Sequence, residues 1–177
     1  MINETWKDVI GYEGIYEVSN TGLVRTHVNK TTFTEKHGER KWKQRVLKQK
    51  VSKDGTCRVS LWKDGKEKTW LVHRLVAFVF ISVVPGKDYV NHIDGNRLNN
   101  HLSNLEWCDH TENNNHAFDN RLIKTASKIS LESMETGEEF DFRSMAKASE
   151  FLGRNHGYVS QLLKDGITEI QGYKIKQ

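Results

Sequence analysis

The chain has 177 residues, 36% of them hydrophobic, and a formal net charge of +4. This is room for one modest core or two to three small ones, and the low apolar share favours small modules. A membrane-spanning helix is excluded, because no apolar run approaches the roughly 18 residues that a span requires. Cys57 and Cys108 lack CxxC spacing, so neither a disulfide framework nor a cysteine zinc site is indicated. The opening MINETWKD lacks the basic-then-apolar layout of a signal peptide, and a soluble cytoplasmic protein with no membrane partner is expected.

The charge is unevenly spread. Leu23 to Arg74 holds 15 Lys or Arg against 5 Asp or Glu, a net of +10, and the remainder sums to −6. A basic segment of this kind reads as a polyanion-binding surface. Trp42, Trp62 and Trp70 are interleaved among its charges, as in a sheet with phosphate contacts on one side and a core on the other.

In chain order, residues 6–25 (WKDVIGYEGIYEVSNTGLVR) alternate apolar and polar positions and break at Gly11, Gly14 and Asn20-Thr21-Gly22, which predicts short strands. Asp54-Gly55 and Asp64-Gly65 are hairpin signals within a second alternating run, so the N-terminal module is expected to be a small antiparallel sheet. Leu71, Leu75, Val76 and Val79 then fall at helical spacing, predicting a helix that ends before Pro85. His73 on it reads as a satisfied core histidine, and Arg74 as a residue able to reach a phosphate.

The next stretch, YVNHIDGNRLNNHLSNLEWCDHTENNNHA, crowds imidazoles and amides. Its pattern predicts a strand ending at Asn91-His92, a turn-rich loop, a returning strand at Leu105-Glu106-Trp107, and a helix opened by an Asp109/Glu112 capping box. Strand alternation sends Asn91 and His92 to opposite faces. On the helix Asn113, His116 and Ala117 share a face, so Asn113 or His116 could meet Asn91. Such a site suits Mg²⁺, which takes few protein ligands and completes its shell with water and substrate phosphate. A neighbouring histidine can deprotonate water for attack on a phosphodiester.

Beyond a polar linker, ISLESMETGEEFDF predicts two strands around Thr136-Gly137, and SMAKASEFLG and NHGYVSQLL predict two helices parted by Gly153. The helices have helix-turn-helix dimensions, with Ala148, Leu152, Val159 and Leu162 as core and Arg154, Asn155, Tyr158, Ser160, Gln161 and Lys164 outward. GYKIK closes the chain as a strand.

Three separated blocks, V-N-H-I-D-G-N-x-x-N-N, S-N-L-E-W and T-E-N-N-x-H-A, stand in order and resemble the HNH motif of phage and intron-encoded homing endonucleases. The flanks resemble the N-terminal and C-terminal modules that accompany these nucleases. The resemblance implies an α+β chain of modules: an antiparallel-sheet DNA-binding module over 1–70, a ββα-metal core over 71–118, a linker over 119–129, and a helix-turn-helix module with short strands over 130–177. It implies a site-specific, metal-dependent DNA endonuclease, acting as a monomer on double-stranded DNA and suited to nicking one strand.

By the same resemblance His92 is the general base, and Asn104 braces the loop and helps orient it. Asn91 and Asn113 hold Mg²⁺, with Mn²⁺ as a substitute and His116 as the fallback ligand. Asn91 stands where the family often has aspartate. Expected DNA contacts are Lys48, Lys50, Lys53, Arg58, Lys63, Lys66, Lys68, Arg74 and Arg97, together with Arg154, Asn155, Tyr158, Ser160, Gln161 and Lys164. The rival reading is a sequence-specific DNA-binding regulator on an inactive HNH scaffold.

Overall fold

The computed structural model describes residues 3–120, 122 and 129–176, which fall into two compact units, Met1–Asn115 and His116–Gln177. Most of the linker expected at 119–129 lies outside the described residues. No helix among the described residues is long and apolar enough to cross a membrane.

The first unit opens with a three-stranded antiparallel sheet of β1 (Trp6–Asp8), β2 (Tyr16–Ser19) and β3 (Val24–Thr26). Alternation works as read: Tyr16, Val18 and Val24 point into the core. A two-stranded hairpin follows, β4 (Thr31–Thr34) with β5 (Gly38–Lys41), largely exposed, with Phe33 at its surface. The third sheet is β6 (Lys50–Val51), β7 (Cys57–Lys63) and β8 (Lys66–Leu71). Asp64 and Gly65 link β7 to β8 with φ of 52° and 72°, the two positive values of a type I′ turn. The single sheet expected in this region is therefore three small ones.

Helix α1 (Val72–Phe80) begins without a side-chain cap, and its buried face of Val72, His73, Leu75, Val76 and Ala77 holds it in place. One hydrophobic cluster joins Val18 and Val24 of the first sheet, Val59 and Leu61 of the third, Val72, Leu75 and Val76 of α1, and Leu105. Residues 1–70 and the strands that follow α1 thus share a core. Strands β9 (Tyr89–His92) and β10 (Leu105–Cys108) pair antiparallel, with a 3-10 turn at Leu102–Asn104 leading into β10, and α2 (His110–Asp119) follows.

The second unit is a four-stranded antiparallel sheet with two helices packed on it. Its strands are β11 (Ile129–Ser133), β12 (Glu139–Phe142), β13 (Glu169–Ile170) and β14 (Tyr173–Lys176), in the order β12-β11-β14-β13. Strand β13 is too short to have left a pattern in the sequence. Helices α3 (Met145–Phe151) and α4 (Tyr158–Lys164) bury Ala148, Leu152, Val159 and Leu162 against Ile129, Leu131 and Ile175. Fully buried Ser149 ties the helices together, its Oγ donating to Met145 O at 2.8 Å and accepting from Val159 N at 3.0 Å.

The β2–β3 turn touches the loop between β9 and β10. Gly22, at φ +89°, lies so close to Asn100 that a Cβ would sit 2.7 Å from its Cβ and 2.9 Å from its carbonyl oxygen. Leu102 N donates to Asn20 O at 2.8 Å in the same contact. Gly22→Ala is expected to cost about 2 kcal/mol, from left-handed backbone and the clash together. Urea unfolding checks this, and unchanged stability would show that the turn can move away.

Candidate active site

The β9–β10 register sets His92 opposite Leu105 and Asn91 opposite Glu106. The twelve-residue connection between the strands (93–104) is closed by Asn104. Its Oδ1 accepts from Asp94 N at 2.9 Å, and its Nδ2 donates to Asp94 Oδ1 at 2.8 Å and to Asn99 O at 2.9 Å. Asp94 also accepts from Asn99 Nδ2 and Asn96 N, and these hydrogen bonds hold its carboxyl below the usual carboxylate range, that from Asn99 most of all. The asparagines of the loop are thus satisfied by local hydrogen bonds, as their residue type favours.

His92 is buried at the inner end of this loop. Its Nε2 lies 3.2 Å from the Oδ1 of buried Asn100, whose Nδ2 donates to Leu98 O. An amide oxygen only accepts, so Nε2 carries the proton and Nδ1 of a neutral ring carries the lone pair. Burial pushes the His92 pKa below its ordinary 6.5, with the Asn100 hydrogen bond and Asp94 opposing and Arg97 assisting. The ring of His73 meets that of His92 edge-on at 5.0 Å between centroids. Burial, with His92 next in effect, drives His73 to about 4, so this neighbour is uncharged at neutral pH. His73 is buried as expected, but it is not satisfied: its Nδ1 has no hydrogen-bond partner among the described residues.

Asn91 is also buried and turns to the other face, where its Nδ2 donates to Glu106 Oε1 at 2.9 Å. Both residues line a cavity of about 240 Å³, walled also by Lys87, Trp107 and Glu112. Helix α2 starts with the expected capping box, Asp109 N donating to Glu112 Oε2 at 2.9 Å and Glu112 N to Asp109 Oδ1 at 2.8 Å. Asn113 is half-buried in its second turn, and from this helix it is Glu112 that walls the Asn91 cavity. His116 lies one turn further on, in the second unit. The oxygen donors around the cavity, an amide and carboxylates, are those a hard divalent cation takes. Among the described residues no group of three or more His, Cys, Asp or Glu is gathered for a metal.

Two of these residues escaped the sequence reading. Asn100 makes the hydrogen bond to His92, whereas Asn104 bonds to the loop. Among so many asparagines nothing in the sequence marked Asn100 out, because its place beside the Gly22 turn arises only in the fold. Glu106 could have been found by pairing the two strands in register.

The basic residues divide between surfaces. Cross-strand register places Lys50 and Arg58 on the outer face of the third sheet with Ser60, Trp62 and Thr69, and Trp62 is 52% exposed there. Lys63, Lys66 and Lys68 alternate to the Leu61 side instead, with Lys63 Nζ donating to Gly11 O and Lys68 over the Trp70 ring. Lys48 and Lys53 are exposed. Arg74 is half-buried over Phe78 and Trp107 and donates to Asp88 O, and Arg97 is exposed and donates to Asp54 O. In the second unit Arg154, Asn155, Gln161 and Lys164 are exposed as expected. Tyr158 and Ser160 are half-buried, Tyr158 because it packs against the core under Arg154.

Residues 4–62 match the NUMOD4 motif and residues 71–115 the HNH endonuclease family. DNA endonuclease I-HmuI of Bacillus phage SP01 is 36% identical over 182 residues, covering 97% of this chain and 96% of that protein. An uncharacterized HNH endonuclease of Acanthamoeba polyphaga mimivirus is 37% identical over 156 residues, 88% of this chain but 42% of that longer protein. The solved structure of the HNH homing endonuclease I-HmuI, from a study of its DNA binding and cleavage, matches with a TM-score of 0.52 and 34% identity over 97% of both chains. The chain belongs to the HNH homing endonuclease family.

Proposed function

We propose that this HNH DNA endonuclease hydrolyses phosphodiester bonds at a defined site in double-stranded DNA, using a divalent cation and cutting one strand at a time as a monomer. The observation that carries the reading is His92: buried, neutral, with Nε2 occupied by Asn100 and Nδ1 left as a proton acceptor. Asn91 and Asn113 supply amide oxygens for the cation, Mg²⁺ or Mn²⁺ in its place. Bound there, the ion would stabilise negative charge on the scissile phosphate and the departing 3′ oxygen.

The chain's own residues do the rest. Nδ1 of His92 takes a proton from the attacking water as its oxygen bonds to phosphorus. The bond from phosphorus to the 3′ oxygen breaks, solvent protonates that oxygen, and the ends are 5′ phosphate and 3′ hydroxyl. Asn100 holds the tautomer and Asn104 holds the loop. Affinity comes from the outer face of the third sheet, through Lys50 and Arg58, and from exposed Arg154, Asn155, Gln161 and Lys164 of the second unit. Its site of action is the cytoplasm of a phage-infected or intron-bearing cell, a reading that the DNA substrate and the phage relative support.

Three outcomes are expected. His92→Ala abolishes cutting while DNA binding by gel shift stays within about twofold, since no phosphate contact is removed; turnover comparable to wild type would sink the assignment. Because the folded-state pKa of His92 lies below 6.5, the base is unprotonated at neutral pH, and the rate should fall only as pH drops through that lowered value. An acidic limb centred above 6.5 would contradict it. Replacing Lys50 and Arg58 together by Ala should reduce the salt slope of binding by about two, and an unchanged slope would remove that face from the contact surface.

A further inference from the structure

We propose that Glu106 is a ligand of the catalytic cation and supplies the negative charge that Asn91 lacks, an inference that rests on the metal-dependent reading above. Two amide oxygens make a poor site for Mg²⁺, which proteins ordinarily hold through one or two carboxylates. With Asn91 and Asn113 alone the site has no anion.

Glu106 is the carboxylate placed to provide one. It is the direct cross-strand partner of Asn91, so the two side chains emerge side by side on one face. The hydrogen bond from Asn91 Nδ2 to Glu106 Oε1, 2.9 Å long, fixes them to each other. That bond uses the nitrogen of the amide and one oxygen of the carboxylate. Asn91 Oδ1 and Glu106 Oε2 therefore have no hydrogen-bond partner among the described residues, and both residues face the same cavity of about 240 Å³. A cavity of this size holds an ion with several of its waters.

The other carboxylate lining the cavity, Glu112, is committed, and so is Asp94 of the loop. Glu112 gives Oε1 to Lys87 Nζ at 2.7 Å and Oε2 to Asp109 N at 2.9 Å. Asp94 is spent on Asn104, Asn99 and Asn96 in the loop. Glu106 is also exposed, which lets a substrate phosphate approach it. A bare carboxylate there would repel that phosphate, and an ion between the two turns the repulsion into a bridge.

The test is Mn²⁺ titration of the full chain, read from the loss of the free-ion electron paramagnetic resonance signal, with thermal unfolding as a check on folding. Glu106→Gln keeps the shape and the hydrogen bond from Asn91 but removes the charge. It should weaken Mn²⁺ binding about tenfold or more. Adding Asn91→Asp to Glu106→Gln moves the carboxylate to the neighbouring strand and should restore binding towards wild type. If wild type binds Mn²⁺ and Glu106→Gln binds it equally well, the role of Glu106 is overturned while metal-dependent cleavage stands. If wild type binds no Mn²⁺ and cuts DNA in chelator, the metal-dependent reading falls and this inference with it.

Discussion

The site depends on how one asparagine closes one loop. Asn104 uses both ends of its amide, accepting from Asp94 N and donating to Asp94 Oδ1 and Asn99 O, and so fixes the start of the connection to its end. Each such buried polar group would cost about 1–3 kcal/mol if left unpaired, which makes the closed loop a strongly preferred state. Asn100 hangs from this closed loop, and the tautomer of His92 hangs from Asn100. The ring nitrogen of His92 that keeps its lone pair is set two steps away from the residue that anchors the loop.

A second support comes from the N-terminal sheet. Gly22 packs on Asn100, and Asn20 O accepts from Leu102 N, so the turn between two short strands buttresses the loop that carries the orienting amide. The shared hydrophobic cluster makes the same point energetically. The two paired strands are too small to bury a core alone, and through Leu105 and Val90 they borrow one from α1 and the sheets before it. The residues that match NUMOD4 are therefore structural partners of the nuclease strands as well as carriers of basic surface.

Much of this was legible in the residues. Helix α1, the strand, loop, strand and helix around His92, the Asp109/Glu112 capping box and the four core positions of α3 and α4 all follow from local patterns, and local patterns are what a sequence displays directly. What escaped depends on pairing between distant segments. The division of the lysines between two faces comes from the register of β7 with β8, and the Asn91–Glu106 couple from that of β9 with β10. His73 read as a satisfied core residue because nothing near it in sequence says that a second imidazole packs against its ring. The exposed β4–β5 hairpin lies in a stretch, Thr26 to Val46, whose mixed polar composition suggested no role.

The central claim is that His92 is a neutral base with its lone pair on Nδ1, and the most direct measurement is a long-range proton–nitrogen correlation spectrum of the ¹⁵N-labelled protein at neutral pH. The account predicts a protonated Nε2 and an unprotonated Nδ1 for His92, with Asn100→Ala releasing that preference. A proton on Nδ1, or a charged ring at neutral pH, would contradict it.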